Sequence, residues 1–118
     1  MSVRHLEVEV RPTQSGAVLD LHGEINGFSE EALDTAYQQA EATNPEAIIL
    51  NFEDVDYINS TGIALIVSLL RKARASERHF LAYGLSDHYF EIFEITRLSD
   101  FMGIYPDEQS ALSGASVS

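Results

Sequence analysis

Hydrophobic and polar positions alternate at the amino-terminal end of the chain, as they do in a β-strand with one solvent-exposed face. The alternation runs through residues 5–10 (HLEVEV) and returns in residues 17–25 (AVLDLHGEI), after the turn-forming stretch 12–16. Two neighbouring runs of this kind, joined by a short polar connection, are typical of an antiparallel hairpin. The sequence therefore predicts a β-hairpin at this end of the fold.

The period changes to that of a helix after Asn26 and Gly27. Ser29 precedes two acidic residues, an arrangement that favours Ser29 as the N-cap of a helix, and the pair Asn44-Pro45 ends the segment. The apolar positions at helical spacing are Leu33, Ala36, Tyr37 and Ala40. We expect the first helix to begin at Ser29.

The middle of the chain predicts a buried strand followed by an unusually apolar helix. Residues 47–52 (AIILNF) form a short, nearly continuous apolar run, which is typical of a central parallel strand. Residues 61–76 have helical character, and their first half is apolar on almost every side. Such a helix is either sandwiched in the core or presents one face to a partner. Its second half is basic. Four of the chain's seven basic residues lie between positions 71 and 78: Arg71, Lys72, Arg74 and Arg78.

The remaining sequence predicts two more strands and two more helices. A strand is expected at 79–83, a helix at 88–96 and a short edge strand at 102–105, and a last helix opens at 106–108 and runs through Leu112. A hairpin followed by strand-helix-strand crossovers implies a mixed sheet. We predict a single α/β domain over residues 1–112, with about four helices packed on a mixed β-sheet, and a flexible tail at 113–118.

The composition excludes several classes of function. The chain has 118 residues, 7 Lys and Arg against 19 Asp and Glu, a formal charge of −12 and no cysteine. Nucleic-acid binding requires a basic surface, so we expect no nucleic-acid partner. The longest uncharged stretch, residues 57–70, is shorter than the about twenty apolar residues of a spanning helix, so no membrane insertion is expected. The first ten residues do not resemble a signal peptide, and we predict a cytoplasmic protein.

Signatures of enzymatic chemistry are missing. The sequence contains neither a G-x-x-x-x-G-K-[ST] loop nor a G-x-G-x-x-G loop, and its four histidines are scattered, so we expect no catalytic residue, cofactor or metal ion. Glu53, Asp54 and Asp56 follow a buried strand and suggest, as an alternative, a magnesium site or a phospho-accepting carboxylate like that of receiver domains. That alternative requires an acidic pair after the first strand and a lysine after the last, and the sequence has neither. We interpret the three acids as a charged turn.

Residues 59–62 (NSTG) are the most informative segment for function. A small polar residue at a helix start caps free backbone N–H groups, and this role accounts for one hydroxyl, which we expect to be that of Ser60. The second hydroxyl, that of Thr61, is well placed for phosphorylation because the helix dipole and free N–H groups favour an anion there. A phosphate would add about −1.5 to −2 charges to an apolar surface and would act on binding. We predict modification at Thr61, with Ser60 as the alternative.

From residue 47 to 112 the chain resembles the STAS domain of bacterial anti-sigma factor antagonists. The resemblance is carried by residues 48–52 (IILNF), 56–63 (DYINSTGI), 71–74 (RKAR) and 104–112 (IYPDEQSAL). Upstream, residues 23–26 (GEIN) are similar to the family's G-x-[LI]-[DN] strand end. Together these segments extend the resemblance from about residue 5 to residue 112.

The resemblance implies a partner switch controlled by phosphorylation. In the family, the serine or threonine just before the glycine, Thr61 here, is phosphorylated by a partner that is both a serine/threonine kinase and an anti-sigma factor. The unphosphorylated domain binds that partner and so frees a sigma factor, the phosphorylated domain lets go, and a PPM-type phosphatase resets it. The family's contact surface maps onto Asn26, Gly27, Phe28, Ser29, Tyr57, Ile58, Asn59, Ser60, Thr61, Gly62, Ile63 and Ile66.

One position departs from the family pattern. Antagonists usually carry Asp where this chain has Asn59, and an asparagine can cap a helix but carries no charge. A second hypothesis is that the chain is a STAS scaffold or accessory subunit of a stress-signalling complex or a transporter, without a phosphorylation switch. In that alternative, residues 59–61 serve mostly as a helix cap.

Overall fold

The computed structural model describes residues 4–115, and its sheet opens with the predicted hairpin. Strand β1 (Glu7–Pro12) pairs antiparallel with β2 (Ala17–Ile25). Strands β3 (Ala47–Ile58), β4 (His79–Tyr83) and β5 (Gly103–Tyr105) continue the sheet in parallel, each beside the one before it. The prediction of a mixed α/β sheet opened by a hairpin is confirmed.

Four helices cover the two faces of the sheet unequally. Their bounds are α1 (Glu30–Glu41), α2 (Ser60–Ala75), α3 (Asp87–Ile95) and α4 (Glu108–Ala115). Helices α1, α2 and α3 share the larger core with alternate residues of β2, β3 and β4. Helix α4 packs on the opposite face, where Ala111 and Ala115 join a smaller core with Val18, Ile49 and Tyr83. The apolar residues of the central strands are therefore buried on both sides, as the continuous run at 47–52 predicted.

Helix α2 packs one face against the sheet and α1 and leaves the opposite face exposed, so the expectation of a helix sandwiched in the core is wrong. Ile66 and Ala73 are fully buried, and Leu69 is almost so. In the apolar half, Ala64 is exposed, and Ile63, Leu65 and Val67 are only partly buried. The apolar residues of this half therefore extend beyond the face that the sheet and α1 bury.

Strand β3 is twice as long as the sequence indicated. It runs on to Ile58 because β2 continues beside it, up to the pair Ile25 and Ile58. The interpretation of Glu53, Asp54 and Asp56 as a charged turn is therefore wrong, since all three are exposed residues of a strand. The acids lie where β4, which ends opposite Asn51, no longer pairs with β3.

The carboxyl-terminal helix also extends farther than predicted. Helix α4 continues past Leu112 to Ala115, because Ala115 is buried against the sheet. The flexible tail predicted for residues 113–118 therefore does not begin at residue 113. Residues 116–118 lie outside the described part of the chain.

A histidine on the open face of the sheet makes stability depend on pH. Nδ1 of His22 lies 2.8 Å from Oδ2 of Asp54 on β3, and Nε2 lies 3.1 Å from Oε1 of Glu9 on β1. The hydrogen bond to Asp54, followed by the nearby negative charges, raises the pKa of His22 above its ordinary value of 6.5. The protonated imidazole therefore stabilises the folded chain at pH values below 6.5, and this contribution is lost as the pH rises through the raised pKa.

We expect the free energy of unfolding, measured with urea, to decrease as the pH rises above 6.5, because the contribution of protonated His22 is lost. In His22→Asn this part of the pH dependence should be absent, because the variant has no titrating ring. Parallel pH profiles for the wild type and the variant would contradict the assignment to His22.

Candidate functional site

The residues predicted to form the site meet at the carboxyl ends of β2 and β3. A 3-10 turn (Gly27–Ser29) follows β2, and the first turn of α2 follows β3. Because the two strands are parallel neighbours, these segments lie at the same edge of the sheet. A Cβ atom built on Gly27 would lie 3.4 Å from Cγ2 of Thr61, so the 3-10 turn and the helix start are in contact.

The 3-10 turn is held by reciprocal capping. Oδ1 of Asn26 accepts a hydrogen bond from the backbone N–H of Phe28 at 2.8 Å, and Oγ of Ser29 accepts one from the N–H of Asn26 at 2.9 Å. The Ser29 hydroxyl also donates to the carbonyl of Glu24 at 3.3 Å. The prediction that the Ser29 side chain caps α1 is therefore wrong, because its hydroxyl is used one turn earlier. The result is a fixed turn that presents Phe28 to solvent with 90% of its surface exposed.

Asn59, and not Ser60 as predicted, caps helix α2. Its Oδ1 accepts a hydrogen bond from the N–H of Gly62 at 2.8 Å, while Ser60 is already the first helical residue. The backbone N–H of Asn59 also donates to the carbonyl of Ile25 at 3.2 Å. An aspartate would make the same capping bond, so the asparagine keeps the cap and removes only its charge.

We expect Asn59→Ala to lower the free energy of unfolding by about 1 kcal/mol, the usual cost of a lost N-cap. Ser60→Ala is the matched control, because the Ser60 side chain is exposed and its hydroxyl has no hydrogen-bond partner among residues 4–115. Its effect should stay within about 0.5 kcal/mol. Urea unfolding of both variants checks this assignment, which fails if Ser60→Ala proves the more costly change.

Ser60 and Thr61 both expose their side chains in the first turn of α2. The first N–H groups of a helix have no acceptor within it, so a phosphate on either hydroxyl would find donors and a favourable dipole. The two residues differ in their surroundings, because Thr61 contacts the 3-10 turn at Gly27. A phosphate on Thr61 would therefore lie at the junction of the two segments.

Exposed aromatic side chains are part of this edge of the sheet. Phe28 on the 3-10 turn and Tyr57 near the end of β3 are among the most exposed large hydrophobic residues of the described chain. Among the predicted contact residues, four are instead buried and support the surface from below: Ser29, Ile58, Gly62 and Ile66. Ile66 is fully inaccessible, so it cannot contact a partner while the fold is intact.

Two residues that the sequence did not assign to the site also shape it. The hydroxyl of Tyr89 on α3 accepts a hydrogen bond from the N–H of Ile58 at 2.9 Å and so holds the last residue of β3. Oε1 of Glu24 accepts a hydrogen bond from the side-chain amide of Asn26 at 3.2 Å. Tyr89 is buried in the core, and nothing in the local sequence pattern indicated its polar contact.

We also searched residues 4–115 for a metal site and for a membrane-spanning helix. Across residues 4–115, His, Asp and Glu side chains nowhere form a group of three that could hold a metal ion. In the same residues, no helix is both long enough and apolar enough to cross a membrane.

Comparison with known proteins finds similarity along almost the whole chain. A curated relative, the anti-sigma-B factor antagonist of Listeria monocytogenes, is 27% identical over 99 residues, which cover 84% of this chain and 86% of the relative. The crystal structure of an anti-sigma factor antagonist from Mycobacterium paratuberculosis superimposes with a TM-score of 0.81, at 21% identity and 93% coverage of both chains. The Bacillus cell fate determinant SpoIIAA in its phosphorylated form gives a TM-score of 0.68 at 22% identity, covering 92% of this chain and 97% of that one.

The model of one protein family also matches the sequence. It is that of the STAS domain, and it matches residues 5–111, from the start of the hairpin into α4. This range includes all five strands and the whole of the site at the ends of β2 and β3. The chain therefore belongs to the STAS domain family.

Proposed function

We propose that this chain is a cytoplasmic anti-sigma factor antagonist whose binding is switched off by phosphorylation of Thr61. The observation that carries the proposal is the exposed threonine in the first turn of α2, in contact with the turn that bears Phe28. The name of the Listeria relative and the phosphorylated form of the Bacillus protein support the same function. The domain acts by binding and not by catalysis.

The unphosphorylated surface suits a protein partner. Phe28 and Tyr57 are exposed aromatic side chains, the type that most often contributes strongly to protein–protein affinity. The capping box fixes the backbone at Phe28, so little backbone freedom is lost when a partner covers this residue. The contact surface that we propose consists of Asn26, Gly27, Phe28, Tyr57, Asn59, Ser60, Thr61 and Ile63.

Phosphorylation would change this surface without disturbing the fold. The partner kinase would transfer the γ-phosphoryl group of ATP to Oγ1 of Thr61, with the hydroxyl proton passing to a base of the kinase and ADP leaving. The Thr61 side chain is exposed, so the phosphate displaces nothing in the core. In the complex, however, a dianion would lie within an interface that the neutral side chain had filled. A PPM-type phosphatase would remove the phosphate by hydrolysis.

The experiment that tests this function is a pull-down with the tagged full chain from the native cell extract. We expect the retained partner to be a kinase-like anti-sigma factor, and mass spectrometry should find phosphate on Thr61 only in the unbound pool. With the purified partner and ATP, Thr61→Ala should accept no phosphate, whereas Ser60→Ala should be modified normally. Phosphate on Ser60 would reassign the acceptor. Recovery of a transporter or a scaffold complex with unmodified Thr61 would replace the switch with the scaffold function.

A further inference from the structure

A groove on the second half of α2 concentrates basic residues on an otherwise acidic protein. It lies between α2 and the segment that follows α3, and its volume is about 370 Å³. Its lining includes three of the chain's seven basic residues and no acidic residue, although acids outnumber bases by 19 to 7 overall. The lining residues are Val67, Leu70, Arg71, Arg74, Thr96, Arg97, Leu98 and Phe101.

The floor of the groove is apolar and part of it is open to solvent. Leu70 and Leu98 form its buried base, at 5% and 6% exposure, whereas the Phe101 ring is 54% exposed. The guanidinium of Arg74 stacks over that ring, with 5.3 Å between Cζ and the ring centroid. An exposed aromatic ring next to arginines is a common anchor of protein interfaces.

The helix dipole does not account for this set of arginines. Lys72 and Arg74 lie in the last turn of α2, where cations are favoured, but Arg71 precedes that turn and Arg97 belongs to another segment. Arg71 has no ion-pair partner among residues 4–115. Lys72, by contrast, points to the other side of the helix and pairs with Asp34 of α1 at 3.0 Å. Arg97 is paired with Asp100 at 2.8 Å, whereas Arg71 and Arg74 form no ion pair within residues 4–115. The groove therefore offers the positive charge of Arg71 and Arg74.

We propose that this groove docks an acidic amphipathic helix of a partner protein. Charge complementarity selects an acidic segment, and the apolar floor selects one with apolar side chains along one face. The groove is bounded by helical segments and has no free strand edge, so the docked segment must satisfy its own backbone hydrogen bonds, as a helix does.

This docking surface is separate from the phosphorylation site. Arg71 lies ten positions after Thr61 in α2, which corresponds to about 15 Å along the helix. The proposal does not depend on phosphorylation, and binding at the groove should be the same in Thr61→Glu as in the wild type. A failure of the switch and a failure of the groove are thus distinguishable.

The test is a selection of peptides of about 16 residues from a random display library against the full-length chain. We expect the enriched peptides to place Leu, Ile or Phe at helical spacing and Asp or Glu between them. A synthetic copy of the strongest peptide should bind at least about tenfold more weakly to Arg71→Gln/Arg74→Gln and to Phe101→Ala, and its affinity should fall with added salt. Lys72→Gln removes a positive charge next to Arg71 on the other side of α2 and should leave the affinity unchanged.

Four results would overturn the proposal. The first two are enriched peptides that are not acidic, and an unchanged affinity of the synthetic peptide for Arg71→Gln/Arg74→Gln. The third is a loss of affinity in Lys72→Gln as large as that in Arg71→Gln/Arg74→Gln. The fourth is that addition of the peptide changes amide chemical shifts outside α2 and residues 96–101. If dodecanoate binds with the same affinity as the peptide and this binding also requires Arg71, the groove is instead a site for small anionic ligands. Circular dichroism and thermal unfolding of each variant show that any loss of binding does not come from loss of the fold.

Discussion

The form phosphorylated on Thr61 is expected to bind its anti-sigma factor about 100-fold more weakly than the unmodified form. This change corresponds to about 2.7 kcal/mol, which an unmatched phosphate buried in an interface can account for. The free protein should lose little stability, because the Thr61 side chain is exposed and lies at the amino-terminal end of α2, where negative charge is favourable. Isothermal titration of both forms with the purified partner measures the difference.

Two variants separate the position of the charge from its presence. Thr61→Glu places one negative charge where the phosphate has about −1.5 to −2, so we expect a smaller loss, about tenfold. Ser60→Glu adds the same charge one residue away. Within the described residues, Gly27 of the 3-10 turn is near Thr61 and not near the Ser60 side chain. We expect Ser60→Glu to have the smaller effect. Equal effects of the two substitutions would show that net charge, and not the position of Thr61, controls binding.

Most elements could be predicted from the sequence because the type and spacing of their apolar residues are typical of strands or helices. The alternation in residues 17–25 reproduces β2 to the residue, and the run at 79–83 reproduces β4. The second half of β3 could not be predicted in this way. Its acids at 53, 54 and 56 are exposed on a strand whose pairing with β2 comes from distant sequence, and locally they have the composition of a turn.

The fold brings the predicted site residues together at the ends of β2 and β3, but the detailed role of each residue depends on three-dimensional contacts. Asn59 and Ser60 are both suitable caps, and only the backbone geometry assigns the bond from Gly62 to Asn59. The apolar half of α2 hides which face is buried, so Ile66 was expected at the surface although it is fully inside. The tertiary hydrogen bond between Ile58 and Tyr89 spans 31 positions and leaves no local pattern.

Gly62→Ala is expected to destabilise the fold by about 2 kcal/mol, although alanine is the better helix former. The gain in helix propensity is about 1 kcal/mol, and a glycine in the first turn gains less than one in a helix interior. Against it, the added Cβ would lie 2.2 Å from the carbonyl oxygen of Ile25 and 2.8 Å from its carbonyl carbon. That oxygen belongs to β2 and accepts a hydrogen bond from Asn59, so it cannot rotate away. Overpacking of this kind typically costs about 1 to 3 kcal/mol.

Gly27→Ala is the matched control on the facing side of the same junction. Its Cβ would meet only the side chain of Thr61, with Cγ2 at 3.4 Å, which is an ordinary contact. The effect on stability should therefore stay within about 0.5 kcal/mol. The extra methyl group would nevertheless cover part of Thr61, so phosphorylation should slow in a fold of unchanged stability. Urea unfolding together with phosphorylation rates tests both halves of this expectation. Equal stability of the two variants would mean that α2 can move away from β2, and that the close approach at Gly62 does not fix the position of the acceptor.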